Sequence, residues 1–395
     1  MAIQTTEWTS PPDTEAELLA WLDAMRELDP VQRDPDRGGW HVFGHAECVE
    51  ALTNHSAFSS VLAADVPEDS PMTIFRIGNL SWMDPPRHQV LRSLVRHVFT
   101  PRYVAGLEPM ISGTVERFLA EIEGKEQISF IEEYAAPVAA AVIANMLGIP
   151  DEDRDLFGRW TAALMSIADP TLKKNEVGTI IGYTRDIKVY LKDLVQDRRR
   201  APQDDFITRL TSVEVDGETL TDDEIMGLIC LLLLTGQTTT QSLANAVICL
   251  DQNPDADQAL RADLSLCNST LEEVIRYRAQ TSRVARVTTR EVKLGRHVIP
   301  EGQPVSVWLA AANFDPVKFP DPEVFDLKRH PNQHIALGHG VHFCLGAPLA
   351  RMESSIALEG FIKRTSSVSV DYEQTTLLDP RLVFGANTLM INASW

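Results

Sequence analysis

One cysteine and three glycines lie within the ten residues Leu337-Gly338-His339-Gly340-Val341-His342-Phe343-Cys344-Leu345-Gly346. A helix-forming stretch, Ala347-Pro348-Leu349-Ala350-Arg351-Met352-Glu353, begins directly afterwards. A cysteine ahead of a helix N-terminus meets unpaired backbone N–H groups and the positive end of the helix dipole, and both favour thiolate over thiol. A single stabilised thiolate in an apolar, glycine-lined hairpin suits axial ligation of haem iron. A lone cysteine is often plain core, but that leaves the three glycines beside it unexplained. His339, His342 and Cys344 could also suggest zinc. An obvious fourth ligand is lacking, however, and closely spaced hairpin residues rarely converge on one tetrahedral ion. Haem thiolate ranks above both.

Other residues gain meaning from their company. Glu273-Val274-Ile275-Arg276 puts a carboxylate and a guanidinium on one helix face, which alone reads as a solvated pair worth a few tenths of a kcal/mol. Downstream come Asn313-Phe314-Asp315-Pro316, then Phe319-Pro320-Asp321-Pro322-Glu323-Val324-Phe325-Asp326, then Arg329, and then the cysteine run. His88 and Arg92 share a helix face after Asp84-Pro85-Pro86. The central apolar stretch is interrupted by Leu234-Thr235-Gly236-Gln237-Thr238-Thr239-Thr240-Gln241. Glycine and adjacent threonines are poor helix formers, and threonine hydroxyls bond back to helix carbonyls, so a bulge or kink is expected there.

These motifs in this order resemble those of bacterial cytochrome P-450s, the haem-thiolate monooxygenases, over nearly the full length. The resemblance is nearest to actinobacterial enzymes that tailor secondary metabolites, such as macrolide hydroxylases. It implies a mostly α fold, a large helical part with a small β-rich part, and haem b sandwiched between the central helix and the Cys344 hairpin. Cys344 would ligate the iron, and Phe343 and Gly346 would line the cofactor. His88, Arg92, Arg286 and His342 would hold the propionates, which need cationic or hydrogen-bonding partners. Glu273, Arg276 and Arg329 would lock together as support for the haem core. Thr235, Gly236, Thr238 and Thr239 would form the distal groove for dioxygen, with Thr239 handling the bound oxygen.

Two departures from the family pattern stand out. Thr235 replaces the usual alanine and Thr238 the usual acid, so protons would come from ordered water, Thr238, Gln237 or a substrate hydroxyl. Leu337 replaces the phenylalanine that usually shields the sulfur, which would shift the iron potential slightly.

The resemblance places substrate contacts at Trp82, Leu231, Ser282, Val284 and Ala386, with polarity from Thr281, Ser282 and Arg283. Met72, Phe75, Leu80, Trp82 and Met165 offer apolar surface. The implied reaction is hydroxylation or epoxidation of a medium-to-large secondary metabolite. Alternatives are oxidative C–C or C–N coupling of an aromatic, tryptophan-derived cyclic dipeptide, and a haem sensor without turnover. No flavin or nucleotide fingerprint is present, so electrons would come from a ferredoxin and its reductase. Arg92, Arg96, His97, Arg102 and Arg351 are candidates for a basic docking patch.

The elements that must position these residues are mostly helical. Periodicity predicts helices over Thr14–Glu27, Ala46–Leu52, Arg87–Phe99, Arg102–Glu123, Ile131–Leu147, Asp151–Ile167, Val177–Arg200, Ser269–Arg278 and from Thr221 to Leu250. Thr221-Asp222-Asp223-Glu224 carries N-cap chemistry. Strands are expected at Trp40–Phe43, Arg286–Leu294, Val305–Leu309, Val368–Asp371 and Leu382–Leu389. A long irregular segment from Phe58 to Asn79 suits a binding loop. With 395 residues and no linker, one domain over 1–395 is expected. The net charge of −20 argues against nucleic acid or an anionic membrane as partner. Five cysteines without a framework fit a reducing cytosol. The apolar run Ile229–Leu234 is too short to span a bilayer, and a cytoplasmic monomer is expected.

Overall fold

The computed structural model describes residues 8–36, 38–61, 77–154, 156–160 and 174–395, without the side chains of 174–180. The chain divides into two compact units, one of Met1–Leu62, Glu116–Ala135 and Thr240–Trp395, the other of Ala63–Val115 and Ala136–Thr239.

The first unit holds the large sheet. Its strands run in the order Val31–Arg33, Trp40–Val42, Pro304–Val307, Val284–Thr288, Phe58–Ser59. Trp40–Val42 pairs parallel to Pro304–Val307, which pairs antiparallel to Val284–Thr288 with Arg286 opposite Val305. The β-branched residues Val31, Val42, Val305 and Val307 form a core with Leu52, Phe58 and Ile335. Helix Glu15–Leu28 buries Leu18, Leu22 and Met25 as its period demands, and Trp21 with them, against Phe43 and Trp308. A second sheet orders Ser367–Val370, Met390–Ser394 and Gln127–Ser129.

Among its described residues the second unit is helical apart from a hairpin at Glu214–Val215 and Glu218–Thr219. Its helices include Arg87–Val98, Ala136–Leu147 and Phe206–Ser212, with Lys174–Arg200 the longest wholly inside it. Phe99 and Tyr103 pack on Phe206. The central helix, Asp222–Gln252, starts in a reciprocal capping box. The Glu224 amide donates to Thr221 Oγ1 at 3.2 Å, and the Thr221 amide donates to Glu224 Oε2 at 3.0 Å.

Several expectations are corrected. The central helix runs through Thr235–Thr240 as unbroken α-helix, without the expected bulge. Thr235 Oγ1 donates to the Leu232 carbonyl at 2.9 Å and satisfies itself while the helix continues. The irregular turn lies instead at Ile131–Ala135, which is π-helical. The strand after Pro304 ends at Val307, and Leu309–Ala312 is a helical turn. The helix expected over Arg102–Glu123 divides into Pro101–Gly106 and Glu108–Ile122. Arg286–Leu294 divides into Val284–Thr288 and Val292–Leu294.

Candidate active site

The cysteine segment is the turn its glycines anticipate. The Cys344 amide donates to the Leu337 carbonyl at 2.8 Å, and the Gly338 amide to the Ile335 carbonyl at 2.9 Å. Gly338 and Gly340 have φ of 76° and 66°, values that disfavour side chains. A Cβ on Gly340 would press on the Leu52 carbonyl oxygen at 3.2 Å. Gly340–His342 makes a single 3₁₀ turn, and helix Ala347–Arg364 opens with Gly346 at its N-cap. Cys344 packs against an apolar cluster of Ile275, Ala279, Ala336, Leu337 and Ala347. The other four cysteines are buried, and Cys344 alone is partly exposed. Burial pushes the Cys230 and Cys249 thiols up to about 12 and Cys267 to about 11, so they stay inert thiols. Among the described residues no group of three or more His, Cys, Asp or Glu converges on a metal position. His342 Nε2 instead shares a hydrogen bond with Ser60 Oγ at 3.0 Å.

Glu273, Arg276 and Arg329 come together, and the pair is anything but solvated. Glu273 and Arg276 side chains are both 0% exposed. Arg276 donates from Nε and Nη2 to the two Glu273 oxygens at 2.8 and 2.7 Å, and Arg329 Nε donates to Oε1 at 3.0 Å. Arg329 also donates to the carbonyls of Pro320, Asp321 and Val324, tying down the proline-rich loop. The Arg276 guanidinium lies over the rings of Tyr277, Phe314 and Phe319.

Arg286 sits in the middle of its strand, 7% exposed, with Nη1 donating to the Ala285 carbonyl. His88 is fully buried on helix Arg87–Val98, and Arg92 is half-buried one turn later. On the central helix Thr239 is 3% exposed, Thr238 and Gly236 are half-buried and Thr235 is exposed. A Cβ on Gly236 would meet Ile143 Cδ1 at 2.6 Å, so glycine lets helix Ala136–Leu147 approach. Leu231 and Val284 are half-buried, Phe343 is 40% and Trp82 46% exposed. Ser282 is fully buried and donates its hydroxyl to the Pro380 carbonyl at 2.5 Å. Arg283 lies over Trp308. Met72, Phe75 and Met165 lie outside the described residues.

Arg351, a candidate for the docking patch, is part of an ion pair. Its Nε and Nη2 hold the two oxygens of Glu272 at 2.5 and 2.9 Å, and His334 Nε2 meets Glu272 Oε2 at 3.2 Å. Burial pushes the Glu272 carboxyl up, but the His334 and Arg351 hydrogen bonds and charges outweigh it and bring it to about 2. The Glu272 carboxylate, and to a lesser degree Cys344, raise the Arg351 pKa.

The cytochrome P450 family model matches residues 40–386. The chain belongs to the cytochrome P450 family. It is 37% identical over 95% of both chains to the cyclomarin C epoxidase CymV of Salinispora arenicola. It is 36% identical to the erythromycin C-12 hydroxylase of Saccharopolyspora erythraea, over 96% of this chain and 95% of that one. Among solved structures, cytochrome P450 TbtJ1 superimposes with a TM-score of 0.89 at 36% identity, covering 98% of this chain and 100% of the other. HmtT, involved in himastatin biosynthesis, gives 0.86 at 38% identity, covering 94% and 96%.

The protein is thus a P450 monooxygenase, an oxidoreductase with haem b as cofactor. The donor set fits that cofactor. A P450 needs one soft thiolate in an apolar setting, and Cys344 is the partly exposed cysteine, packed against the Leu337 cluster. Among the described residues no helix is long and apolar enough to cross a membrane.

Sequence reasoning missed three features of this P450. Asn332 Nδ2 and the Asp326 amide complete the Glu273 shell, each at 3.1 Å. The Glu272–His334–Arg351 cluster was visible only as separate charges. Gln241 and Asn245 of the central helix bind backbone of the segment Phe384–Ala386. Helical spacing puts 241 and 245 on one face, but nothing local names their partner.

Proposed function

We propose that this P450 hydroxylates or epoxidises a medium-to-large secondary metabolite, with electrons delivered by a ferredoxin and its reductase in the cytoplasm. Printed activities of the relatives support the reaction class, an epoxidase and a hydroxylase at 36–37% identity across nearly the whole chain. Five cysteines whose spacings show no disulfide framework suit a reducing compartment. We take the working form to be one chain, folding as a single P450 domain over 1–395.

The observation that carries the reading is the Cys344 turn, with a partly exposed cysteine packed against the cluster that holds Leu337 and Ala347. Cys344 would hold the iron through its thiolate, and Phe343 and Gly346 would line the cofactor. His88, Arg92, Arg286 and His342 bind and orient the propionates by charge-assisted hydrogen bonds. When bound, haem supplies the redox chemistry of dioxygen activation, and the protein supplies placement and proton handling. Thr239 moves a proton at its Oγ1, with Gly236 and Thr235 about one turn before it on the same helix. Because a threonine stands at 238 in place of a carboxylic acid, protons are relayed through ordered water, the Thr238 or Gln237 side chain, or a substrate hydroxyl. Trp82, Leu231, Ser282, Val284 and Ala386 shape the substrate side. For Ser282 this contribution is through its backbone and position, since its hydroxyl is already given to Pro380.

The test is spectral and then chemical. Reduced protein under carbon monoxide should show the red-shifted Soret band of sulfur ligation, and Cys344→Ser should lose it. A normal band in that variant would remove Cys344 as ligand. Product mass then decides the outcome: a gain of one oxygen supports monooxygenation, while a loss of two hydrogens means coupling or desaturation. Thr239→Ala should lower product formed per electron consumed by about tenfold or more. Unchanged coupling would take the proton role away from Thr239.

A further inference from the structure

Gln241 forms a two-way clasp on a backbone. Its Nε2 donates to the Ala386 carbonyl at 3.0 Å, and its Oε1 accepts from the Ala386 amide at 2.9 Å. Both residues are nearly sealed from solvent, at 3% and 1% exposure. A side-chain amide engaged at both ends reproduces a strand's pairing pattern, so it sets register as well as satisfying polar groups. The approach is too close for any side chain at residue 385, because a Cβ on Gly385 would lie 2.2 Å from Gln241 Oε1. One helical turn on, Asn245 Nδ2 donates to the Phe384 carbonyl at 2.9 Å and to the Arg278 carbonyl at 3.2 Å. Arg278 Nε returns a bond to Asn245 Oδ1 at 2.9 Å. Between the two, Ser242 Oγ accepts from Gln280 Nε2 at 3.0 Å. On its other side the segment is held by the Leu378 amide, which donates to the Gly385 carbonyl at 3.0 Å. Three consecutive residues, Phe384, Gly385 and Ala386, therefore have their depth set by side chains of the helix and by the backbone at Leu378.

We propose that Gln241 is a specificity-determining positioning residue, which fixes the register of Gly385–Asn387 and thereby the shape that a bulky ligand must fit. This rests on the assignment of Ala386 to the substrate side of the haem pocket.

Holoenzyme carrying Gln241→Leu, similar in size but unable to form either bond, tests it with two azoles of different reach. Imidazole needs only access to the iron, whereas econazole must also fit the pocket. The Soret shift is titrated with each, and exchange of the Ala386 amide is followed by mass spectrometry. The variant should exchange that amide faster and change the econazole Kd about tenfold while leaving the imidazole Kd unchanged. Gly385→Ala, which displaces the same amide without altering the helix, should give the same pattern and serves if the leucine variant does not load haem. An unchanged econazole Kd alongside faster exchange would reduce the clasp to a structural tie and overturn the proposal. A wild-type protein lacking the sulfur-type carbon monoxide band would overturn the haem-thiolate reading beneath it, an outcome visible before any variant is made.

Discussion

Glu272 keeps part of its carboxylate in water, at 29% side-chain exposure, while Glu273, the next residue of the same helix, is at 0%. Both are paired with arginine, and the pairings differ in kind. Glu273 takes five donors, from Arg276 twice, Arg329, Asn332 and the Asp326 amide. Glu272 takes only Arg351 and His334. Successive residues on a helix point about 100° apart, so one position faces the packed loops and the other the rim. A buried charge is tolerable only when every lone pair is met. A charge at the rim can draw on water instead, and its pair is worth correspondingly less.

Breaking the inner cluster should cost most. Glu273→Ala leaves two guanidiniums without their carboxylate and should destabilise by about 3–5 kcal/mol, read as a lower urea midpoint and poor haem content. Glu272→Gln should cost about 1–2 kcal/mol near neutral pH, discounted for its partial contact with water. A cost equal to that of Glu273→Ala would break the comparison. The pH course sharpens it. The Glu272 carboxyl titrates at about 2 in the folded chain against an ordinary 4.5, so as pH falls the unfolded state takes up the proton first. The contribution is complete above about 4.5 and is lost down to about 2. Urea midpoints of wild type and variant should therefore converge across that window. Asn332→Ala removes one donor of the inner shell and should cost about 1 kcal/mol. Arg351→Lys gives up the bidentate geometry but keeps the charge, and should cost only a few tenths of a kcal/mol in a melt.

How much of this was legible in sequence depended on whether partners were local. The Glu273–Arg276 spacing and the glycines around Cys344 act within a few residues, so type and distance along the chain suffice. The capping box at Thr221–Glu224 was legible for the same reason. The threonine run misled because poor helix propensity was expected to bulge the helix, whereas Thr235 returns its hydroxyl to the Leu232 carbonyl within regular α-helix. Arg351 is a different case. An arginine in a list of basic residues looks available, and only folding brings Glu272, 79 positions away, into its grip.

The chain alone settled that a single cysteine would be presented on a glycine turn before a helix, because positive φ and helix-end chemistry are properties of the residues themselves. Folding decided which charges are sealed, which remain at the rim, and that Gln241 would clasp a backbone 145 positions away. Desolvation and register depend on which surfaces meet, and no window of sequence contains both sides of that contact.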